Sequence, residues 1–446
     1  MTTTIQPRLT QVFRFVRYSY ADGVAELAYA FDDGEELVER IRFPNAPAVP
    51  EARAAAFAAA LKLLHLIAGV SYYKAGVPPR IQVADGPLDD ATAELLDQLY
   101  LHGLAEFAYR NGLDLRGRIA FPRGGMAAAA GPLDLPKRTL VPSGGGKDSL
   151  VAVEAIKSIG GEATAVWVGN SALIAACAER TGLPTLNIQR ELAPGLFEMN
   201  RLGAWNGHIP VTAVNSAILA VAAILYGHDS IAFANERSAS AATLEYDGQQ
   251  VNHQWSKGYA FEQLLGNWLH THVASDLDYC SLLRPYSELA ITRAFAKLTP
   301  YFDVFSSCNR NFKLLGPKPV DRWCGQCPKC HFVFLALAPF LPKPRLLSLF
   351  GRNLLDDENQ AAGFDALLEY QDHKPFECVG EGAEARAAMH ALSQRPEWQE
   401  DALVARFRSE ILPQLDASQL ALEPWLVPSP EQRVPARLQG ALAAIG

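Results

Sequence analysis

The N-terminal part of the chain alternates apolar and polar positions in three short runs, at 12–18, 24–31 and 36–43. Alternation with a period of two is typical of half-buried strands. Asp-Gly pairs at 22–23 and 33–34 separate the runs, and such pairs favour tight turns. The pattern therefore predicts a three-stranded antiparallel meander.

Helical spacing follows the meander. The Ala- and Leu-rich segment 51–68 predicts a helix packed on the sheet, and a second helix is predicted at about 90–111. The segment 124–132 consists mostly of Gly and Ala, is low in complexity and indicates a linker. We place the first domain boundary there.

The segment 69–79 sets Tyr72, Tyr73 and Lys74 between glycines and leaves two interpretations open. It is either a turn whose aromatic side chains pack against neighbours, or a loop that recognises a polar substrate. In the second interpretation Lys74 contacts an anion.

From residue 137 onwards strands and helices alternate, which predicts a parallel sheet with helices on both faces. The predicted strands lie at 138–142, 162–168, 184–188 and 230–234, with helices near 148–159, 171–181 and 210–227. Ligands of such sheets gather at the carboxyl ends of the strands. Two groups of polar residues follow strands there: Gly169 and Asn170, then Asn235, Glu236 and Arg237.

The fold class predicted is α/β, with a parallel-sheet core, a small α+β N-terminal domain and a helical C-terminal region. The predicted domains are 1–131, 132–345 and 346–446. A chain of 446 residues is long enough for two or three such domains.

Composition narrows the functional class and the compartment. The net charge of −8 argues against a broad nucleic-acid surface. We expect no membrane span, because no apolar run of about 18 residues is free of charge, and no secretory signal in the first residues. Seven cysteines, four of them clustered, suit a reducing compartment and metal ligation better than disulfides, so we expect a cytoplasmic protein.

The segment 135–159 carries the most specific chemistry, because a strand, a glycine loop and a helix follow one another. Glycines let backbone N–H groups approach a phosphate closely, and the helix N-terminus adds partial positive charge. The loop consists of Ser143, Gly144, Gly145, Gly146, Lys147, Asp148 and Ser149. It is not a Walker A loop, since Asp148 follows Lys147, and its glycine spacing fails the dinucleotide fingerprint.

This loop resembles the pyrophosphate loop of the N-type ATP pyrophosphatases, which has the form Ser-Gly-Gly-x-Asp-Ser. Here three glycines follow Ser143, so Gly144 occupies the serine position of the six-residue frame. The resemblance implies that ATP is cleaved between its α and β phosphates and that Gly169 and Asn170 lie at the adenine site. Asp148 is then expected to hold the Mg²⁺ that accompanies the triphosphate. The alternative is a glycine-rich loop without a ligand.

A cysteine cluster follows, with Cys308 upstream of Cys324, Cys327 and Cys330. Four thiolates with overlapping Cys-x₂-Cys spacing match a closed structural Zn²⁺ site, although an Fe–S cluster uses the same ligands. We expect zinc with a structural role, and His331 as surplus to it. The run also resembles that of the nitrile synthase in the 7-deazaguanine pathway, another N-type pyrophosphatase.

Two further stretches, 246–262 and 370–386, combine polar, aromatic and titratable residues. The first contains His253 and Lys257 and is interpreted either as a binding loop or as a surface loop before a helix. The second contains Cys378, a candidate proton carrier, and Gly-Glu-Gly before an Ala-rich helix. Its alternative interpretation is a helix N-terminus with Glu381 and Glu384 as dipole partners.

Together these features resemble the UDP-N-acetylmuramoyl-L-alanyl-L-glutamate epimerase family of peptidoglycan biosynthesis. The resemblance rests on 65–74, the glycine loop, 235–237, the cysteine cluster and 375–380, and so covers nearly the whole chain. It implies ATP-dependent inversion of the terminal L-Glu of the UDP-MurNAc-dipeptide. A muramoyl ligase that adds L-Glu or accepts D-Glu is the functional partner implied.

For such a reaction the candidate catalytic residues are Asp148, Glu236, His253 and Cys378. The candidate substrate-binding residues are Lys74, Asn235, Arg237 and Lys257. A ligase that passes an adenylated acid to an amine, and a non-catalytic nucleotide sensor, are the competing hypotheses. The sensor would release no pyrophosphate, and the ligase would be silent without an amine.

Overall fold

The structure is a computed structural model that describes residues 6–312, 318–370 and 373–446. The first five residues, where no secretory signal was expected, lie outside the described residues, as do 371–372 of the stretch 370–386. The strands are β1 Val12–Ala21, β2 Val24–Phe31, β3 Leu37–Arg42, β4 Arg80–Val83, β5 Arg138–Pro142, β6 Glu162–Val168, β7 Thr185–Glu191, β8 Ser230–Phe233, β9 Leu244–Tyr246, β10 Gln249–Val251 and β11 Asp278–Ser281.

The described α-helices follow in chain order. They are α1 Ala54–Ala68, α2 Val70–Tyr73, α3 Asp90–Gly103, α4 Ala105–Asn111, α5 Lys147–Ser158, α6 Ala172–Arg180, α7 Pro194–Arg201, α8 Val211–Tyr226, α9 Tyr259–His272, α10 Glu288–Phe295, α11 Pro328–Leu337, α12 Lys343–Phe350, α13 Ala361–Leu367, α14 Gly382–Ser393, α15 Ala402–Arg406 and α16 Gln439–Leu442. The region after residue 346 is helical, as predicted.

Nine strands form one mostly parallel sheet in the order β11-β8-β5-β6-β7-β3-β2-β1-β4. Neighbours from β11 to β7 are parallel, as are β1 and β4, whereas β7-β3, β3-β2 and β2-β1 are antiparallel. The α/β class is therefore confirmed. Strands β9 and β10 form a separate hairpin.

The predicted meander is confirmed as β1, β2 and β3. Gly23 makes the first turn possible, since its φ is +76° and a Cβ there would meet the Phe43 carbonyl oxygen at 2.9 Å. The inward side chains of the meander, among them Phe13, Leu27 and Ile41, are fully buried. Helix α1 covers this part of the sheet and also packs against α8.

The stretch Glu51–Tyr73, which includes α1 and α2, is apolar and long enough to cross a membrane by length and composition. Most of its apolar window, 72%, is buried inside the protein, which is the position of a core helix. Tyr72 and Tyr73 are fully buried, as the interpretation of a turn with packed aromatics predicted. The predicted helix 90–111 is two helices, which break at Leu104.

The sheet does not stop at the predicted boundary at residue 131. Strand β7 pairs with β3 through Arg40↔Glu191, Ile41↔Arg190 and Arg42↔Gln189, and one apolar core extends from Phe13 to Tyr279. The buried ion pair between Arg190 and Glu39, at 2.7 Å, lies at this junction. The division into 1–131, 132–345 and 346–446 stays a prediction.

Candidate active site

The glycine loop joins β5 to α5 at the carboxyl edge of the parallel strands. The Ser143 N–H donates to the Val166 carbonyl on β6 at 2.7 Å, which anchors the start of the loop. Gly145 has φ +73°, a left-handed conformation that glycine adopts without strain. The Ser306 N–H donates to the Gly145 carbonyl at 3.0 Å, so the segment before Cys308 supports the loop from outside.

The loop has the features of an anion-binding cradle. A Cβ on Gly144 would meet no atom within 4 Å, whereas a Cβ on Gly146 would lie 2.7 Å from the Ser307 hydroxyl oxygen. The Ser143 hydroxyl is buried and has no hydrogen-bond partner among the described residues. Such an orphaned buried hydroxyl is costly unless a ligand satisfies it, and a phosphate oxygen would do so.

Lys147 lies at the start of α5 with its side chain 2% exposed. Its ammonium donates to Asp148 Oδ1 at 2.5 Å and to the carboxylate of Glu288 at the start of α10. Burial raises the pKa of Glu288 to about 8, and the charge of Asp148 adds to the rise. Burial alone would raise the pKa of Asp148 too, but the Lys147 charge lowers it. Asp148 therefore carries the negative charge that faces Lys147.

The polar residues predicted at the carboxyl ends of the strands lie on the same edge as the loop, because β5, β6 and β8 are parallel. Gly169 and Asn170 follow β6, and Asn170 is exposed. Asn235 and Glu236 follow β8 and are both buried. The Asn235 amide donates to the Ser281 hydroxyl at 3.0 Å. The structure thus confirms the predicted placement.

Arg237 turns away from this group, towards the C-terminal segment. Its guanidinium lies 5.7 Å from the ring centroid of Trp425. Its backbone N–H donates to the Tyr286 carbonyl at 3.0 Å. A substrate-binding role for Arg237 stays a prediction.

A second group of side chains centres on Cys378. Lys257 Nζ donates to Cys378 Sγ at 3.2 Å, and the His253 imidazole interacts electrostatically with the same thiol. On its other side, His253 Nδ1 lies 2.5 Å from Glu106 Oε2. A carboxylate accepts only, so His253 donates this hydrogen bond. Three segments that are distant in the sequence meet here: the one with Glu106, the one with His253 and Lys257, and the one with Cys378.

These contacts set the protonation of the pair. Burial would raise the pKa of Cys378, but the Lys257 charge and the His253 hydrogen bond lower it to about 6. Burial would lower the pKa of His253, but hydrogen bonds with Cys378 and Glu106 raise it to about 9. Between these values the pair is a thiolate beside an imidazolium, the state in which cysteine is a base or nucleophile.

The two groups form one electrostatic unit. The Lys257 charge acts on Asp148 as well as on Cys378, and Glu236 in turn raises the pKa of Lys257. Lys329, from the cysteine-rich segment, acts on Asp148, Glu288 and Cys378 together. The glycine loop and the thiol therefore lie close enough for their charges to interact.

His208 completes the surroundings of Glu106, with its Nδ1 3.8 Å from Glu106 Oε2 and its ring 4.3 Å from that of His253. The donor atoms of Glu106, His208 and His253 lie within 4.8 Å of one another. However, an oxygen and a nitrogen 2.5 Å apart are in direct hydrogen bond, and two ligands of one metal ion at about 2.0–2.2 Å would lie farther apart. We therefore describe this group as hydrogen-bonded.

Lys74 is buried and contacts the segment that carries His208. Its ammonium donates to Asn206 Oδ1 at 2.7 Å, two residues before His208. Burial lowers the pKa of Lys74 to about 8. It has the position of a supporting residue, and its predicted role in substrate binding stays a prediction.

The four clustered cysteines converge as predicted, with all their sulfur atoms within 4.8 Å of one another. The Sγ–Sγ distances are 3.5 Å for Cys327–Cys330, 3.8 Å for Cys324–Cys330 and 4.0 Å for Cys308–Cys327. A tetrahedral ion with bonds of about 2.3 Å separates its sulfur ligands by about 3.8 Å, so the set fits zinc. His331 is instead hydrogen-bonded to Gln360 at 2.8 Å.

The structure shows which elements form the stretches 246–262 and 370–386. Residues 246–262 contain the β9–β10 hairpin's second half and the segment before α9, which begins at Tyr259 as predicted. In 370–386, α14 begins at Gly382 with a capping box between Glu381 and Glu384, so the interpretation as a helix N-terminus is confirmed. Cys378 lies just before this cap and belongs to the site independently of it.

Sequence reasoning missed Glu106, His208, Glu288 and Lys329. Glu106 and Glu288 are single acids on amphipathic helices, where an acid is normally exposed, and both are buried here. Glu288 follows Ser287, which caps α10, and so has the pattern of an ordinary helix start. No motif marks Glu106, His208 or Glu288, and Lys329 is one of the two unspecified positions between Cys327 and Cys330.

Comparison with known protein families gives two matches that together span most of the chain. The MurL N-terminal domain model matches residues 4–282, and the MurL C-terminal domain model matches residues 304–421. The first match contains the glycine loop, Glu106, His253 and Lys257. The second contains the four cysteines and Cys378.

Curated relatives align along almost the full length. A protein of Xanthomonas oryzae pv. oryzae is 61% identical over 430 residues, covering 96% of this chain and 95% of the relative. Proteins of Salinispora tropica and a Micromonospora species are each 42% identical, over 448 and 446 residues, covering at least 97% of both sequences in each pair. All three are named UDP-N-acetyl-alpha-D-muramoyl-L-alanyl-L-glutamate epimerase.

Proposed function

This chain belongs to the MurL family, and we propose that it inverts the terminal L-Glu of UDP-MurNAc-L-Ala-L-Glu to D-Glu by activating the α-carboxylate with ATP. Its curated relatives are named as epimerases, so the chain is an isomerase of peptidoglycan precursor synthesis. ATP is consumed as a substrate, with AMP and diphosphate as products. Both nucleotide substrates are cytoplasmic, and so is the proposed enzyme.

The need for ATP follows from the acidity of the α-proton. A carbanion beside an ionised carboxylate would place two negative charges on neighbouring atoms. Attack of the α-carboxylate on the α-phosphorus of ATP gives an acyl-adenylate, which removes the carboxylate charge and makes the carbonyl electron-withdrawing. A base of ordinary strength then removes the proton, and water later releases AMP. Activation of the γ-carboxylate would leave the α-proton almost unaffected.

The glycine loop supplies the nucleotide half of this proposal. Backbone N–H groups of Gly144 to Gly146 and the hydroxyls of Ser143 and Ser149 would hold the pyrophosphate. Lys147 would exchange its contact with Asp148 and Glu288 for the phosphates, which leaves the Asp148 carboxylate for Mg²⁺. A bound Mg²⁺ supplies charge neutralisation of the phosphates. Gly169 and Asn170, at the end of β6, are the proposed adenine contacts.

The single observation that carries the proposal is the Cys378–His253 pair on the same site as the glycine loop. A thiolate with a pKa of about 6 is a base at neutral pH, and general-base catalysis requires such a match. Cys378 Sγ takes the α-proton and its negative charge passes to the α-carbon of the acyl-adenylate, while the adjacent imidazolium holds Cys378 as a thiolate before the transfer. Glu236 and His253 are the candidates for returning a proton to the opposite face. Lys257 and Asn235 are the proposed substrate contacts.

The four cysteines are proposed to hold a structural Zn²⁺. All four positions of a tetrahedral ion would be filled by sulfur, so the ion would take no part in the chemistry. Its position matters because Ser306 and Ser307, just before Cys308, support Gly145 and Gly146. The cluster would thus fix the outer wall of the nucleotide loop.

The substrate implies a ligase that first joins L-Glu to UDP-MurNAc-L-Ala.

The test is to incubate the purified protein with ATP, Mg²⁺ and UDP-MurNAc-L-Ala-L-Glu carrying ¹⁸O in the α-carboxylate. We expect AMP and D-Glu to appear together, and the AMP to carry one ¹⁸O atom. The same substrate with ¹⁸O in the γ-carboxylate should give unlabelled AMP. ADP as the product, or label transferred from the γ-carboxylate, would overturn the proposal. Omission of an amine tests the ligase alternative, which predicts no turnover.

A further inference from the structure

Glu106 is a buried carboxylate that the proposed chemistry does not use directly. It lies on α4, in the N-terminal part of the chain, and its side chain is 5% exposed. It accepts hydrogen bonds from His253 Nδ1 at 2.5 Å and from Arg110 Nε at 2.6 Å. We propose that Glu106 is a positioning residue that orients His253 and keeps Cys378 in its thiolate form.

The arrangement of Glu106, His253, Cys378 and Lys257 supports this role. The imidazole is hydrogen-bonded to Glu106 through Nδ1, and it also interacts electrostatically with Cys378. A carboxylate on one ring nitrogen fixes the ring orientation and stabilises the doubly protonated ring. The thiolate on the other side then faces a fixed positive charge. Lys257 gives Cys378 a second positive partner, so the row is Glu106–His253–Cys378–Lys257.

The other groups around the row do not replace Glu106. His208 contacts Glu106 and His253, but burial lowers its pKa to about 4, so it is neutral at physiological pH. Arg110 faces the far side of Glu106, and Lys329 adds positive charge near Cys378. Among the groups that face His253 in the described residues, Glu106 and the Cys378 thiolate supply the negative charge. Burial would raise the pKa of Glu106, but the His253 hydrogen bond lowers it, so it stays ionised.

The inference deepens the proposed function, since it assigns the residue that prepares the base. It is tested without turnover, by the rate at which iodoacetamide alkylates Cys378 as a function of pH, measured on the Cys378 peptide by mass spectrometry. In the unmodified protein the rate should rise with a midpoint near pH 6. In Glu106→Gln, which keeps a hydrogen-bond acceptor but removes the charge, the midpoint should move up by about one unit or more.

Two variants control this measurement. Glu94→Gln neutralises an exposed acid on α3 that pairs with Arg123, and it should leave the midpoint unchanged. Glu106→Asp restores the charge on a shorter side chain, and it should move the midpoint back towards that of the unmodified protein. Thermal unfolding is recorded for each variant, so that a folding defect is recognised.

An unchanged midpoint in a folded Glu106→Gln variant would overturn the inference. Since alkylation needs neither ATP nor substrate, that result would leave the proposed epimerisation intact. Conversely, a protein with the expected alkylation profile but without ATP-dependent epimerisation would contradict the proposed function alone. A midpoint that shifts after treatment of Cys324→Ser with a chelator, where the proposed zinc site is already disrupted and Glu106 is intact, would instead indicate a metal ion among Glu106, His208 and His253 and would also overturn the inference.

Discussion

The two halves of the site are built in opposite ways. The phosphate-binding part of the nucleotide half consists of seven consecutive residues, 143–149, on one strand–loop–helix unit. The thiol half takes Glu106, His253, Lys257 and Cys378 from α4, a loop, a 3₁₀ turn and the segment before α14. The first is local and tolerates little change at Gly145 and Gly146. The second depends on the whole fold, because each member is brought in by a different element.

The difference also separates the chemistry of the halves. Backbone N–H groups in the loop offer partial charges that do not titrate, so they hold phosphate over a wide pH range. The thiol half consists of titratable groups whose protonation depends on one another. We therefore expect mutations to separate nucleotide binding from proton transfer, and pH to act on the thiol half.

The largest effect is expected for Cys378→Ala. Removal of the base should lower the rate of epimerisation by about a hundredfold to ten-thousandfold, the usual contribution of general-base catalysis. Binding of ATP, measured by calorimetry, should stay within about twofold of the unmodified protein, since the loop does not use the thiol. A variant that loses ATP binding to the same extent would show that the two halves cannot be separated.

The pH dependence should come from the thiol half. Below about pH 6 the rate should fall about tenfold per unit, because Cys378 gains the proton that it must lose to act as a base. Above about pH 9 it should fall again, as His253 loses its charge. ATP binding should change much less than the rate between these limits, and its one expected step is near pH 8, where Glu288 beside Lys147 ionises. A rate that rises with a single midpoint at about pH 8.5, the pKa of an ordinary thiol, would contradict the ion pair of the Cys378 thiolate and the His253 imidazolium.

A smaller effect is expected for Ser143→Ala on the nucleotide half. Its buried hydroxyl has no partner in the described structure, so its removal should leave the melting temperature unchanged. ATP binding should weaken about tenfold, since a hydrogen bond to a charged group is lost. Ser158→Ala, at the other end of α5, is the matched control and should bind ATP normally. Equal affinities for ATP in Ser143→Ala and Ser158→Ala would show that this hydroxyl does not face the phosphates.

The smallest effect on chemistry is expected at the cysteine cluster. Cys324→Ser should reduce the bound zinc from about one ion per chain to less, measured by elemental analysis, and lower the melting temperature. ATP binding should weaken moderately, because 306–308 supports the loop, while the alkylation midpoint of Cys378 should move less than in Glu106→Gln, because Lys257 and His253 act on this thiol more strongly than Lys329. Full metal loss without a change in stability would argue against a structural ion.

The same contrast explains what could be predicted from the sequence. The meander, the alternating strands and helices, the loop and the cysteine cluster are local patterns, and the structure confirms their positions. The pairing of β3 with β7 is not local, since Ile41 and Arg190 are far apart in the chain. Strand β11 has only four residues and no period to recognise.

The residues of the thiol half could be predicted only in part, because their contacts are not local. His253, Lys257 and Cys378 stood out because such residues cluster in polar stretches, but their mutual contacts depend on tertiary packing. Glu106 did not stand out, because its burial arises only when α4 meets the segment around residue 253. A residue whose role is to act through another leaves no pattern in its own neighbourhood.

The central claim is that ATP is spent to acidify the α-proton that Cys378 removes. The most direct measurement is deuterium incorporation at the glutamate α-carbon in D₂O, with ATP and with ATP omitted, at equal enzyme and substrate concentrations. The account predicts one deuteron per inverted glutamate with ATP and none without it. Incorporation at the same rate without ATP would contradict it.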